Sequence, residues 1–224
     1  MKKLVILLLA LALWADLVYA GGKERWENLI KKSVDVLDDM NNMPDNAIPI
    51  YLIEKCRAIA IFPGTVSGGF VIGGKFGQGV LLAKNENKWS SPAVFNIVGG
   101  SFGWQIGGKA TDIILVIMGN ESLDRFLRGK VILGAGAAAT AGPLGRNAQV
   151  GTDIQFKSGI LAYSRARGLF VGLKLEGCVI TENKNANEFL YKKPLSAKEI
   201  LIESKAEPTR QGKELIAKLR AYGK

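Results

Sequence analysis

The spacing of apolar residues along this chain changes several times, and each change marks a boundary. A continuous apolar run, Leu4 to Leu13, opens the chain behind Met1, Lys2 and Lys3. From Lys23 to Met40 the apolar residues recur every three or four positions: Trp26, Leu29, Ile30, Val34, Leu37 and Met40. That rhythm predicts an amphipathic helix, basic in its first half (Lys23, Arg25, Lys31, Lys32) and acidic in its second (Asp35, Asp38, Asp39). The stretch Asn41 to Asn46, with Pro44, ends it. A shorter helix is expected from Pro49 through Tyr51, Leu52 and Ile53.

From Ala58 to about Ile180 the pattern becomes short, β-rich and punctuated by glycine. The blocks are 58–62, 69–73, 79–83, 93–98, 101–106, 112–118, 158–164, 168–175 and 177–181. Such blocks, with turn signals between them, predict a closed or sandwiched antiparallel sheet. One helical interruption is expected at Ser122 to Leu127, with Ser122 as its cap. Beyond Pro194, Ser196 and Glu199 form a capping-box pattern ahead of Ile200 and Leu201. A last amphipathic helix starts near Thr209 and carries Leu215, Ile216, Leu219 and Tyr222 on one side. The expected fold class is α+β: a Gly-rich antiparallel, barrel-like sheet flanked by an N-terminal amphipathic helix and C-terminal helices. No repeat of fixed period is visible.

The opening run has the parts of a secretory leader: a basic start, an apolar stretch, and small residues before a cut after Ala20. Asp16 interrupts it short of the ~18–20 apolar residues that span a bilayer. The expectation is an exported protein, periplasmic or secreted and peripheral to a membrane, divided as leader 1–20, helix 21–47, main domain 48–202 and helical tail 203–224. Charge sharpens this. The 224 residues carry a formal net charge of +10, and loss of Lys2, Lys3 and Asp16 with the leader leaves +9. A basic exported chain favours an anionic phospholipid surface as partner. Nucleic acid is not expected, because no basic run is interleaved with aromatics.

Histidine is absent, which excludes Ser-His and Cys-His dyads and every His-containing metal site. The only cysteines are Cys56 and Cys178, and sequence leaves one disulfide or two buried thiols equally open. The 103–109 segment has P-loop spacing, but Ala110 stands where a Ser or Thr would hold magnesium. The 134–142 segment lacks the acidic partner of a dinucleotide loop. No cofactor or metal is expected. Asp112, Asp153 and Glu176 stand at the edges of β-blocks, and an envelope hydrolase would need two of them facing across a cleft. A Gly-rich sheet that assembles with its own copies is a third class.

Ordered motifs then add a resemblance. Ala60-Ile-Phe-Pro63, Gly69-Phe-Val-Ile-Gly-Gly74, Trp89-Ser-Ser-Pro92, Gly100-Ser-Phe-Gly-Trp-Gln-Ile-Gly107, Ala141-Gly-Pro-Leu-Gly-Arg146, Tyr163-Ser-Arg165 and Gly168-Leu-Phe-Val-Gly172 occur in turn. The chain resembles the SYLF-domain family over about 48–202. The resemblance implies a non-catalytic lipid-binding protein, phosphoinositide-binding and in some members actin-binding among eukaryotes. Export would put actin and cytosolic phosphoinositides out of reach in a bacterial cell. The expected lipid-binding residues are Trp26, Leu29 and Ile30, entering the head-group boundary, with Lys31 and Lys32 on lipid phosphates; the alternative is that the same apolar face packs on the sheet. Arg165 and Arg167, two apart on one strand face, are the preferred pair on the sheet, ahead of Lys75, Lys109, Lys130 and Arg146.

Overall fold

Side chains alternate between the two faces of a strand, so a sheet with apolar residues on both faces must be covered twice. The computed structural model meets that demand with helices on either side of one curled, half-barrel sheet. It describes residues 2–42, 47–86, 88–103, 109–134, 139–144, 159–166, 169–172, 175 and 177–222. Among them the chain forms α1 (Lys2–Asn41), α2 (Ile50–Lys55), β1 (Ala58–Asn85), β2 (Lys88–Trp89), β3 (Ala93–Gly103) and β4 (Lys109–Ile117). Next come α3 (Asn120–Leu127), β5 (Lys130–Ile132), β6 (Ala139–Ala141), β7 (Ile160–Ala166), β8 (Leu169–Gly172) and β9 (Cys178–Glu182). Three helices close the chain: α4 (Lys184–Tyr191), α5 (Ala197–Leu201) and α6 (Arg210–Ala221).

The strand order is β5-β9-β3-β1-β4-β7-β6, with β2 paired to β1 and β8 to β7. Every pairing is antiparallel except β6 with β7. β1 joins the two halves by doubling back on itself. Its first arm pairs with β4 (Ala58 opposite Ile117) and its second with β3 (Leu81 opposite Ala93). The arms lie side by side, and Lys84 N donates to Arg57 O at 2.8 Å. Gly79 sits where they press closest. A Cβ there would collide with the Ile61 carbonyl oxygen and the Phe62 ring, so only glycine fits.

Each face has its own core. Ile59, Ile61, Val80, Leu82 and Val94 pack under Trp26, Ile30, Val34 and Leu37 of α1, Leu52 of α2, Leu190 of α4, and Leu215 and Leu219 of α6. Their strand neighbours Ala60, Phe62, Phe95, Ile97 and Leu115 meet Leu123 and Phe126 of α3 and Ile200 and Leu201 of α5. Phe95 and Phe126 touch edge to face, with ring centroids 6.0 Å apart.

Local signals hold at the C-terminal end. The Ser196–Glu199 capping box is formed, and Thr209 caps α6 by accepting from Gly212 N. Ser122 is not a cap. α3 begins at Asn120 behind Gly119, and Ser122 is buried inside the helix. The bridge held open between Cys56 and Cys178 is not formed: both are free buried thiols, one in each core cluster, with the sheet between them. Cys56 donates to Ile53 O at 3.2 Å, and burial pushes its thiol up to about 12. The segments at 104–108 and 135–138, with Asp153 and Glu176, lie outside the described residues.

Two outcomes test this packing. Gly79→Ala is expected to cost about 1–3 kcal/mol of stability by overpacking, measured by urea unfolding. A variant as stable as the parent contradicts the close approach of the β1 arms. Glu199 accepts from Lys205 Nζ at 2.8 Å and from Ser196 N at 2.9 Å, and these bonds hold its carboxyl down to about 2 from its ordinary 4.5. Its contribution to stability is therefore complete above pH 4.5 and is lost as pH falls through 2. NMR titration of the Glu199 carboxyl in the folded protein should give a midpoint near 2; one near 4.5 contradicts the bond network.

Candidate functional site

The residues expected to meet a ligand first are those of α1, and the helix carries them in two directions. Trp26 and Ile30 turn onto the sheet, 7% and 0% exposed, and Leu29 packs at the margin of the same core. Of the two readings left open for this face, bilayer contact or packing on the sheet, the folded protein shows the packing. Lys31 and Lys32 stay exposed on the outer face. That face is of mixed charge. Lys23 lies 3.5 Å from Glu27, Lys31 4.0 Å from Asp35, and Lys218 of α6 reaches Asp38 at 2.6 Å. A shallow cleft of about 610 Å³ beside it is lined by Glu24, Arg25, Glu27, Asn28, Lys31 and Gln211, acid and base together.

Arg165 is not open to a lipid phosphate either. Its guanidinium lies between two carboxylates, donating to Asp112 Oδ2 through Nε at 2.7 Å and to Asp39 Oδ2 through Nη1. Burial works against its charge, but the bonds to Asp39 and Asp112 outweigh that and raise its affinity for the proton. The cluster ties the acidic end of α1 to β4 and β7. It also occupies Asp112, whose second oxygen accepts from Gly64 N at 2.8 Å, so this carboxylate is engaged in structure rather than poised as an acid or base. Lys75 lies close enough to Cys178 to oppose the upward push that burial gives its thiol. Arg146 and Arg167 lie outside the described residues.

What the sheet leaves open lies beside Arg25, midway along α1. Arg25 stacks over Trp26, 4.8 Å from the ring centroid, and donates to Gln78 Oε1 at 2.9 Å. Gln78 Nε2 donates to Asn96 Oδ1 at 3.2 Å, and Asn183 Nδ2 donates to the same oxygen at 3.2 Å. Asn183 Oδ1 in turn caps α4 by accepting from Ala186 N. This amide chain, on the register row Gln78–Asn96–Thr181–Lys130, is the edge of the covered core.

Two residues further along each strand, on the same face, stands the row Phe76–Val98–Val179–Ile132. It crosses four neighbouring strands, β1, β3, β9 and β5. Phe76 is 54% exposed, Val98 48% and Ile132 45%. Among the described residues only one other large apolar side chain, Val66, is so exposed. Isolated exposed apolar residues are ordinary, but a contiguous row across a sheet marks an interaction surface. Beyond it Gly74 and Gly100, paired across β1 and β3, leave the surface flat. Sequence reasoning missed this row. Strand alternation assigns these residues to the same face as Val80 and Val94, and no signal in the sequence says how far along the strands that face is covered.

Comparison with known proteins supplies the family. Residues 98–222 match the family model described as "Ysc84: Las17-binding protein actin regulator". The chain is 29% identical over 199 residues to SH3 domain-containing YSC84-like protein 1 of Rattus norvegicus and of Homo sapiens, covering 86% of this chain and 58% of each relative. It is 32% identical over 161 residues to Protein YSC84 of Saccharomyces cerevisiae, covering 70% of this chain and 34% of that protein. The chain thus spans under three fifths of the length of these relatives.

Substitutions separate the two faces of α1. Trp26→Ala is expected to cost about 3–5 kcal/mol in urea unfolding, as a buried aromatic does. Lys32→Ala should stay within about 0.5 kcal/mol. Equal small effects at both positions would contradict the burial of Trp26.

Proposed function

The chain belongs to the Ysc84 family, the SYLF-domain proteins, and from that premise we propose that it is a non-catalytic protein that binds the surface of an anionic phospholipid membrane. The observation that carries the reading is the row Phe76–Val98–Val179–Ile132, exposed at Phe76, Val98 and Ile132, with basic Lys130 beside it on β5. The family description names a binding protein and a regulator, which is consistent with a surface rather than a catalytic cleft.

Magnitudes make this a weak, salt-sensitive contact. Phe76, Val98 and Ile132 are about half covered already, so insertion contributes roughly half of the 1.5–3 kcal/mol that full burial gives each. Each base near an anionic surface adds about 1 kcal/mol, falling off within a Debye length. The formal charge of +10 steers the chain to such a surface. Export is part of the proposal and rests on the leader-like residues 1–20. α1 is helical on both sides of the cut expected after Ala20, so loss of the leader would shorten it and leave the buried face from Trp26 onward in place. Among the described residues no helix is long and apolar enough to cross a membrane.

A second reading comes from the family description, in which the same row is a seat for a protein filament of the actin kind. Co-sedimentation separates the two. The chain should pellet with vesicles containing phosphatidylglycerol at low salt, less at high salt, and not with pure phosphatidylcholine. Phe76→Ser combined with Val98→Ser should weaken this about tenfold. Equal pelleting with both vesicle types, or pelleting with actin filaments alone, contradicts the lipid reading.

A further inference from the structure

Beside the apolar row the surface deepens into a cleft of about 600 Å³. One wall is the turn from α3 into β5, carrying Arg128 and Lys130; the other is the passage from β9 into α4, carrying Lys184. Gly129 makes the first wall possible. Its φ of +80° turns the chain tightly, its N–H donates to Phe126 O at 2.9 Å, and its carbonyl accepts from Glu182 N at 2.9 Å. Arg128, Lys130 and Lys184 are all exposed, and none has an ion-pair partner among the described residues. The cleft's one acid, Glu182, is already engaged, accepting from Ala197 N at 2.6 Å and from Asn187 Nδ2 at 3.3 Å.

Against the single carboxylate of Glu182, three bases leave the cleft at a net charge of about +2 and repel one another unless an anion joins them. α4 adds to the same charge, for its N-terminus opens here, its first turn holds no acidic residue, and its dipole is positive at that end. Asn96 and Lys130 line the cleft, and each is two residues from a member of the apolar row on its own strand. Cleft and row are therefore one surface, about 7 Å apart along the strands.

We propose, resting on the lipid reading above, that this cleft seats the headgroup phosphate of an anionic phospholipid while Phe76, Val98 and Ile132 enter the interface beside it. Arg128 and Lys184 approach the phosphate from opposite walls, and Lys130 closes the side toward the apolar row. A net charge of about +2 in the cleft suits a phosphomonoester, which carries about −1.5 to −2 charge, better than a singly charged diester. Phosphatidic acid is thus preferred to phosphatidylglycerol at equal surface charge.

The test uses the full chain and three vesicle preparations: phosphatidylcholine alone, and phosphatidylcholine with phosphatidic acid or with phosphatidylglycerol at matched surface potential. Arg128→Gln, Lys130→Gln and Lys184→Gln together should lower affinity for phosphatidic acid vesicles about 100-fold and abolish the preference between the two anionic lipids. A control with the same charge loss, Lys55→Gln, Lys88→Gln and Lys213→Gln, should change affinity less than about threefold, because those groups stand outside the cleft. The single changes Arg128→Gln and Lys184→Gln act in the same direction. If the parent chain binds anionic vesicles and the cleft variant matches the control, the cleft assignment is overturned while the lipid reading stands. If the parent binds no vesicle, the lipid reading itself fails. Glycerol phosphate in solution, titrated by NMR on the Lys130 and Lys184 amides, should bind far more weakly than vesicles; equal affinity assigns the cleft to a soluble phosphate and overturns the lipid source.

Discussion

α1 has one apolar face, and the sheet takes it. Trp26, Ile30, Val34 and Leu37 bury against Ile59, Ile61, Val80 and Leu82, which need that cover as much as the helix does. The same face cannot also lie in a bilayer while the domain stays folded. The consequence reaches the rest of the surface. The helix is held by Arg25 on Gln78 midway along its length and by Asp39 on Arg165 near its C-terminal end. Past the Gln78–Asn96 row the sheet is less covered. The uncovered strip carries Phe76, Val98 and Ile132 where a solvated face would be polar.

Charge is distributed to the same effect. Along α1 from Lys23 the bases are offset by neighbouring acids, as in Lys23 with Glu27, and Asp38 also takes Lys218 of α6. Arg165 is neutralised twice over. The excess that makes the chain basic is therefore not on the helix, and Arg128, Lys130 and Lys184 concentrate part of it beside the apolar row. Exposed pairs contribute little stability, so offsetting charges there mainly weakens the field of that face. Beside the cleft, exposed apolar surface and unpaired charge lie together.

Much of this was legible in the sequence, and the part that was not has a physical cause. The helix from Lys23 to Met40, the capping box at Ser196 and the cap at Thr209 rest on contacts within a few residues, so spacing alone reveals them. The glycine-punctuated blocks marked the strands, although 69–73 and 79–83 proved to be parts of one strand that doubles back. Ser122 failed as a cap because α3 starts two residues earlier, behind Gly119, which has no side chain to make a capping bond. The site was harder. Strand alternation predicts that Val98 shares a face with Val94, yet Val94 is buried and Val98 is half exposed, because coverage depends on where α1 crosses. Arg165 read as a free base because Asp39 is 126 residues away in the chain. Arg128 and Lys184 meet only after α3, β5 and β9 have packed, and nothing local connects them.

The account's central claim is that the open strip of sheet, and not the outer face of α1, meets the membrane. An environment-sensitive fluorophore on Val98→Cys or on Lys32→Cys tests this directly. The native thiols at Cys56 and Cys178 are buried, so labelling falls on the introduced residue. On adding phosphatidic acid vesicles, emission from position 98 should shift to the blue as the probe leaves water, and emission from position 32 should not move. A blue shift at position 32 with none at position 98 would contradict the account and return the contact to the helix.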